Sequence, residues 1–81
     1  METQLTTTEL KEHLISYAKD DLECAKKEGS IMITGTKLGL IIMNYENGLF
    51  QAFNNMGSQF TEKIPLIKMA KWLSKQYEVV H

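Results

Sequence analysis

Hydrophobic and polar residues change from a helical to a strand-like spacing along this chain, and then back again. From about Thr7 to Lys27, apolar residues recur three or four positions apart, which is typical of a helix with one buried face. The stripe consists of Leu10, Leu14, Ala18, Leu22 and Ala25, widened by Ile15. Thr6 and Glu9 are spaced as a capping box before the helix, and Gly29 is suited to end it.

The middle of the chain, from Ser30 to Asn54, holds most of the β-branched and aromatic residues and contains two turn signals. Asn47-Gly48 is the stronger signal, because both central residues of a type I′ turn need positive φ and Asn and Gly tolerate it. Gly35-Thr36 is the weaker signal and suits a type II′ turn. Together they predict a three-stranded antiparallel meander, with strands at roughly Ser30–Thr34, Lys37–Tyr45 and Leu49–Asn54.

The two turns also decide which side chains share a face of the sheet, because successive residues of a strand point to opposite sides. Asn47-Gly48 places Tyr45 opposite Phe50 and Met43 opposite Ala52. With Gly35-Thr36 as the first turn, one face becomes largely aliphatic, and we expect that face to meet the helices. Its members are Ile31, Ile33, Leu38, Leu40, Ile42, Leu49 and Phe53, with polar Asn44 and Gln51. A three-residue first loop would instead move Ile31 and Ile33 to the other face.

The last part of the chain predicts a second helix, for which the sequence leaves two starts open. Thr61 is suitable as an N-cap, whereas Pro65 suits the first helical position because its φ is fixed and its missing N–H costs little there. The helix should end near Gln76. Its buried stripe consists of Leu66, Met69, Ala70, Leu73 and Tyr77. The segment from Tyr77 to His81 is apolar enough to add a short edge strand or to fray.

The order of elements, α-β-β-β-α, predicts a two-layer α+β domain with both helices on one face of a three-stranded antiparallel meander. The 81 residues make one domain, which we assign to residues 6–81, with residues 1–5 as a flexible N-terminal tail. A chain this short buries a modest fraction of its surface, so a partner or a second copy can matter for its stability.

Charge and composition lower the expectation for several classes of function. The net charge of −1 argues against a DNA mimic and against a strongly basic coat for nucleic acid. Residues 1–29 carry a net charge of −3 and residues 30–81 carry +2. All nine basic residues are Lys, so the chain lacks the planar donor that Arg offers to phosphate and guanine. A single cysteine, no signal-peptide pattern and no apolar stretch of transmembrane length lead us to expect a cytoplasmic protein.

The sequence shows no catalytic or metal-binding pattern. His13 and Cys24 lie roughly 16 Å apart along the first helix, which is too far for a thiolate–imidazole pair. Zinc needs several nitrogen or sulfur ligands, and only these two residues and His81 are present. The segment from Gly35 to Gly39 joins two strands, whereas a Walker loop joins a strand to a helix. We therefore expect no enzyme, no metal and no cofactor.

Two surfaces are candidates for binding. The sheet face turned away from the helices is expected to expose a contiguous apolar patch, which is typical of a protein interface. The patch consists of Met32, Ile41, Met43, Tyr45 and Phe50. The second helix carries a ridge of lysines that suits a phosphate backbone or an acidic protein, although a solvated helix face is the simpler interpretation. The ridge consists of Lys68, Lys71 and Lys75, with Trp72 at its border.

The leading hypothesis is a small non-enzymatic protein-binding module, an inhibitor or regulator that occupies a partner protein's surface and forms a homodimer. The alternative is a nucleic-acid-binding regulator that uses the lysine ridge. The small size, the lack of motifs and the Lys-only basic set are also compatible with a phage or mobile-element accessory protein. The sequence identifies no particular partner.

Overall fold

The fold is a three-stranded antiparallel sheet with two helices packed against it, as the order of elements predicted. A computed structural model describes the backbone of residues 7–78 and the side chains of residues 10–78. The elements are α1 (Thr7–Glu28), β1 (Ser30–Thr36), β2 (Gly39–Glu46), β3 (Leu49–Phe53) and α2 (Leu66–Ser74). The strands lie in the order β1-β2-β3. The predicted tail, the capping box of Thr6 and the Glu9 side chain, and the last three residues lie outside the described residues.

Helix α1 forms where the apolar spacing predicted it and contributes one layer of the core. Ala18, Leu22 and Ala25 are fully buried. Gly29 ends the helix, because its N–H donates to the carbonyl of Ala25 at 2.7 Å and its φ of +86° is left-handed. Glycine adopts that conformation without the Cβ penalty that other residues incur. The chain then enters β1 directly.

Helix α2 begins at Leu66, one residue after the predicted start at Pro65, because Pro65 is extended (φ −73°, ψ 168°) and takes the N-cap position instead of the first helical one. The Pro65 carbonyl accepts the N–H of Met69 at 2.9 Å. The alternative start at Thr61 is wrong, because the Thr61 hydroxyl accepts the backbone N–H of Ala52 in β3 instead of capping a helix. The apolar stripe of α2 packs against α1 and the sheet, with Met69, Ala70 and Leu73 fully buried.

The β2–β3 hairpin confirms the register predicted around Asn47-Gly48. Both turn residues have positive φ, +51° for Asn47 and +83° for Gly48, as a type I′ turn requires. Tyr45 pairs with Phe50, and their ring centroids lie 4.9 Å apart. Met43 pairs with Ala52. The alternation of side chains along β2 and β3 is therefore the predicted one.

The β1–β2 hairpin differs from the prediction. Thr36 pairs with Gly39, so the two turn residues are Lys37 and Leu38 and not Gly35-Thr36. The Thr36 hydroxyl donates to the carbonyl of Gly39 at 2.5 Å and closes the turn. Gly35 therefore belongs to strand β1 and not to the turn.

A β-bulge in β1 changes which of its side chains face the helices. Between the Thr36–Gly39 pair and the next pair, Ile33–Ile41, β1 has two residues and β2 has one. Gly35 lies in this bulge with a φ of +75°. The extra residue shifts the alternation of β1 by one position, so that Ile31 joins Ile33 and Ile41 on one face of the sheet.

The core is consequently built on the face that the sequence led us to expect in solvent. Ile41 and Met43 are fully buried and Phe50 is 2% exposed, while Tyr45 is half-buried against the same cluster. In β2 and β3, the side chains that were predicted to meet the helices face solvent instead. They are Leu40, Ile42, Asn44, Leu49, Gln51 and Phe53. The predicted assignment of the two faces is therefore wrong.

Irregular segments pair with both edges of the sheet. Along β3, the backbones of Ile64 and Phe50 exchange two hydrogen bonds of 2.8 Å, and Phe60 donates to the carbonyl of Ala52 at 2.7 Å. Along β1, residues 76–78 pair only with the last part of the strand, around Thr36. Unpaired strand edges invite association with other chains, so this coverage disfavours edge-to-edge association at the paired positions.

The two faces of the sheet can be distinguished with matched methionine variants. Met43→Ala should lower the free energy of unfolding by about 2–5 kcal/mol, because it leaves a cavity in the core. Met32→Ala, in the strand opposite, should change it by no more than about 0.5 kcal/mol, because Met32 is 72% exposed. Urea denaturation followed by circular dichroism measures both. Equal losses would contradict the bulge and the face assignment that follows from it.

Candidate functional site

An apolar strip crosses all three strands on the solvent-facing side of the sheet. Met32 in β1 pairs with Ile42 in β2, and Ile42 pairs with Phe53 in β3. Directly opposed residues have Cβ atoms about 4.5–5.5 Å apart, so the three side chains are continuous. Leu40 extends the strip along β2 on the same face. We call these four residues the outer strip.

The outer strip is accessible in the described part of the chain. Met32 is 72% exposed, whereas Leu40, Ile42 and Phe53 are half-buried. Neither α1 nor α2 covers it, because both pack against the core on the opposite face. Large apolar side chains that remain contiguous in solvent usually mark a binding surface.

A polar row lies beside the outer strip on the same face. Ser30 pairs with Asn44, and Asn44 pairs with Gln51, so the row crosses all three strands. Along each strand it lies two residues from the row of Met32, Ile42 and Phe53. The Ser30 hydroxyl donates to the Asn44 side-chain oxygen at 2.6 Å, and the Gln51 amide donates to the Gln59 side-chain oxygen at 2.8 Å. An apolar centre with a hydrogen-bonded polar border is the usual composition of a protein interface.

Only one of the five residues predicted to form the open patch lies on this face. Met32 does, whereas Ile41, Met43, Tyr45 and Phe50 contribute to the core. The patch as predicted is therefore wrong. Sequence reasoning missed Leu40, Ile42 and Phe53, which it had assigned to the core. The sequence carried no signal that separated the two faces, because both hold large apolar residues and the positive φ of Gly35 in the bulge is a feature of the folded chain.

The lysine ridge lies where the helical spacing predicted it. Lys68, Lys71 and Lys75 are exposed, and Trp72 is half-buried at the border. The Trp72 ring packs against Phe60 with centroids 6.1 Å apart, so it serves the domain's own packing as well as the surface.

Tyr77 connects the segment after α2 to α1. Its hydroxyl donates to the Asp21 carboxylate at 2.5 Å, and the Tyr17 ring meets the Tyr77 ring edge-on with centroids 6.2 Å apart. Burial raises the pKa of Tyr77 well above its ordinary value, and the hydrogen bond to the negative Asp21 raises that pKa further. The Tyr77 hydroxyl therefore stays protonated and remains a donor at neutral pH.

Of the residues considered for catalysis or metal binding, His13 and Cys24 lie at separate positions of α1, and His81 lies outside the described residues. His13 and Cys24 are both exposed on α1, and the His13 ring contacts Tyr17 with centroids 6.1 Å apart. Among the described residues, no group of three or more His, Cys, Asp or Glu side chains is arranged to hold a metal ion. No helix between residues 7 and 78 is both long enough and apolar enough to cross a membrane.

Comparison of the chain with protein-family models, with curated proteins and with solved structures finds no match. The interpretation of the candidate site therefore depends on the geometry and chemistry described above.

The Tyr77–Asp21 bond should make stability depend on pH in a defined range. Its contribution is fully present below the ordinary tyrosine pKa of about 10 and is lost as the pH rises from there toward the raised pKa of the folded protein. Tyr77→Phe should lower the free energy of unfolding by about 1–2 kcal/mol at neutral pH. It should also make the decline above pH ~10 shallower. Urea midpoints of both proteins between neutral and strongly alkaline pH test this. Parallel curves would show that the bond contributes nothing to the pH dependence of stability.

Proposed function

We propose that this protein is a small non-enzymatic binding module that docks on a partner protein through the outer strip and so inhibits or regulates it. The observation that carries the proposal is the continuous apolar row of Met32, Ile42 and Phe53, on a sheet face that neither helix covers. The proposed setting is the cytoplasm, where the exposed thiol of Cys24 would remain reduced.

The composition of the outer strip favours protein binding over a small-molecule site. Its surface is a sheet face, whereas small-molecule sites are concave and bury most of their ligand. Met32 is flexible and polarisable and Phe53 is large and flat, and both residue types are enriched at protein interfaces. The polar row of Ser30, Asn44 and Gln51 would border the contact without placing an unpaired charge in it.

A second copy of the chain is one form that the partner can take. The outer strip would meet its own counterpart across a two-fold axis, which is the commonest symmetry of soluble dimers. A small domain gains stability when such a face is covered, because it buries little of its surface alone. The proposal thus includes a homodimer and a complex with a different protein, and the same variants examine both.

Ile42→Glu should abolish binding while leaving the domain folded. Ile42 lies at the centre of the strip and is only half-buried, so a carboxylate there stays hydrated in the free protein and becomes desolvated in a complex. Asn44→Glu is the matched control, because it adds the same charge two residues further along the same strand and face. Capture from the native host with mass spectrometry should recover one protein with the wild type and the control, but not with Ile42→Glu.

The captured partner is then purified, and its affinity for the three proteins is measured by calorimetry. We expect at least a tenfold loss for Ile42→Glu and less than threefold for Asn44→Glu, because charges outside a desolvated centre contribute little. Light scattering after size exclusion tests the dimer over a range of concentrations. Equal affinities for all three proteins, or a wild type that stays monomeric and captures nothing, would contradict the proposal.

A nucleic-acid-binding regulator is the alternative, and one observation favours it. Lys11 of α1 and Lys37 of the first turn line a hollow together with Lys75, at the end of the lysine ridge. Two further segments, α1 and the first turn, thus extend the basic surface beyond α2. Several exposed lysines on one side can follow a phosphate backbone without reading its sequence.

The salt dependence of binding distinguishes this alternative from the protein-binding proposal. Replacing Lys68, Lys71 and Lys75 by Gln should change the free energy of unfolding by less than about 1 kcal/mol, because all three are exposed. If the ridge binds nucleic acid, the triple variant should bind duplex DNA or RNA more weakly and with a shallower salt slope than the wild type. Fluorescence anisotropy over a series of salt concentrations measures this. No binding by the wild type at low salt would exclude the alternative.

A further inference from the structure

A groove runs between α1 and the outer edge of β1. Its wall on α1 is formed by Leu14, Tyr17 and Asp21. The opposite side is formed by residues 32–35 of β1, and Tyr77 and Glu78 close one end. The groove has a volume of about 460 Å³. It lies at the edge of the sheet and is distinct from the outer strip, although Met32 borders both.

The β1 edge presents backbone hydrogen-bonding groups at Met32, which lines this groove, and at Ser30, which lies just beyond it. The Tyr45 N–H donates to the carbonyl of Gly29 at 2.9 Å, so that carbonyl is directed at β2. Backbone groups alternate in direction along an antiparallel strand, and the N–H and C=O of Ser30 and Met32 therefore point outward. Among residues 7–78, no backbone group pairs with them on that side.

The same edge already accepts an extended segment at its other end. The Glu78 N–H donates to the Gly35 carbonyl at 3.0 Å, and the Lys37 N–H donates to the Gln76 carbonyl at 2.7 Å. Thr36 and Tyr77 form the antiparallel bridge between these two bonds. The geometry of β1 thus permits strand pairing on its outer side, and the unpaired stretch toward Ser30 continues it.

The charge of the groove selects the kind of strand that would fit. Among the described residues, its charged lining residues are Asp21 and Glu78, both acidic, and none is a lysine. The rings of Tyr17 and Tyr77 lie beside these carboxylates, and aromatic faces attract a cation. A second copy of this chain is a poor occupant, because pairing two β1 edges would bring two acidic grooves together.

We propose that the groove binds an extended, basic segment of another protein, which adds to the outer edge of β1 as an antiparallel strand. The segment's backbone pairs with Ser30 and Met32. A Lys or Arg side chain lies between Tyr17 and the carboxylates of Asp21 and Glu78. Main-chain pairing supplies the affinity in such strand addition, and the side-chain site supplies the preference. This inference does not depend on docking through the outer strip.

The probe is a seven-residue peptide with capped ends, in which lysine and valine alternate between terminal threonines. Titration into the ¹⁵N-labelled protein should shift the amide resonances of Ser30 and Met32 and of Tyr17 and Glu78. Those of Asn44 and Gln51, on the outer face, should not move. A peptide with glutamate in place of lysine should bind at least tenfold more weakly, because the two groove carboxylates would repel it.

Two N-methylated peptides test whether the bound segment is a strand. Successive N–H groups of a strand point to opposite edges, so methylation at the lysines and methylation at the valines block different edges. One of these peptides should lose binding and the other should retain it. Two peptides that bind equally well would show a charge contact without strand pairing and would overturn the proposal.

Glu78→Gln and Glu62→Gln form a matched pair of protein variants. Each removes one carboxylate from an exposed position, but Glu62 lies near β3, on the other edge of the sheet. Glu78→Gln should weaken the lysine peptide about two- to fivefold, and Glu62→Gln should leave its affinity unchanged. Equal effects of the two variants would show that binding depends only on the net charge of the protein and would contradict a specific groove.

A variant that ends at Glu78 identifies the occupant. The proposal expects the lysine peptide to bind the full chain and this variant alike. Binding only after removal of residues 79–81 would assign the groove to the chain's own C-terminal residues and overturn the proposal. Light scattering gives the last comparison, because a dimer that dissociates when the peptide binds would make a second copy the native occupant.

Discussion

The rest of the structure depends on which face of the sheet each side chain of β1 points to. A strand repeats every two residues, so a single extra residue exchanges the inner and outer faces of everything beyond it. The bulge at Gly35 makes this exchange and places Ile31 and Ile33 beside Ile41 and Met43. The helices then have one coherent apolar face to cover, and Met32 is left in solvent. The core and the candidate binding surface thus follow from the same local irregularity.

A three-stranded sheet exposes more edge and face than two helices can cover. In this chain, the irregular segment between β3 and α2 pairs with the β3 edge, and residues 76–78 pair with one end of the β1 edge. What remains open within the described residues is the outer strip and the beginning of β1. Both proposed binding surfaces are therefore consequences of small size, because a larger domain would bury them with additional elements.

Charge divides the surface into regions that would attract different partners. The groove beside β1 is lined by Asp21 and Glu78, whereas the hollow on the other side of Tyr77 is lined by Lys11, Lys37 and Lys75. Tyr77 lies between the two regions and lines both, and its hydrogen bond to Asp21 fixes its side chain there. The outer strip has no charged member, so its association would depend on apolar burial and shape rather than on electrostatic attraction.

The sequence by itself determined the elements and most of their local geometry. The apolar stripe of α1, the glycine that ends it, the start of α2 after Pro65 and the type I′ turn at Asn47-Gly48 all depend on short-range preferences that one residue type or spacing expresses. The sequence also placed the lysine ridge on the exposed side of α2. It did not determine which sheet face is the core, because both faces carry large apolar residues. Only the tertiary structure decided this, since the bulge depends on which pairing lets Ile31 and Ile33 pack with the helices. The groove beside β1 could likewise not be predicted from the sequence, because its residues come from α1, β1 and the segment after α2, which are far apart along the chain.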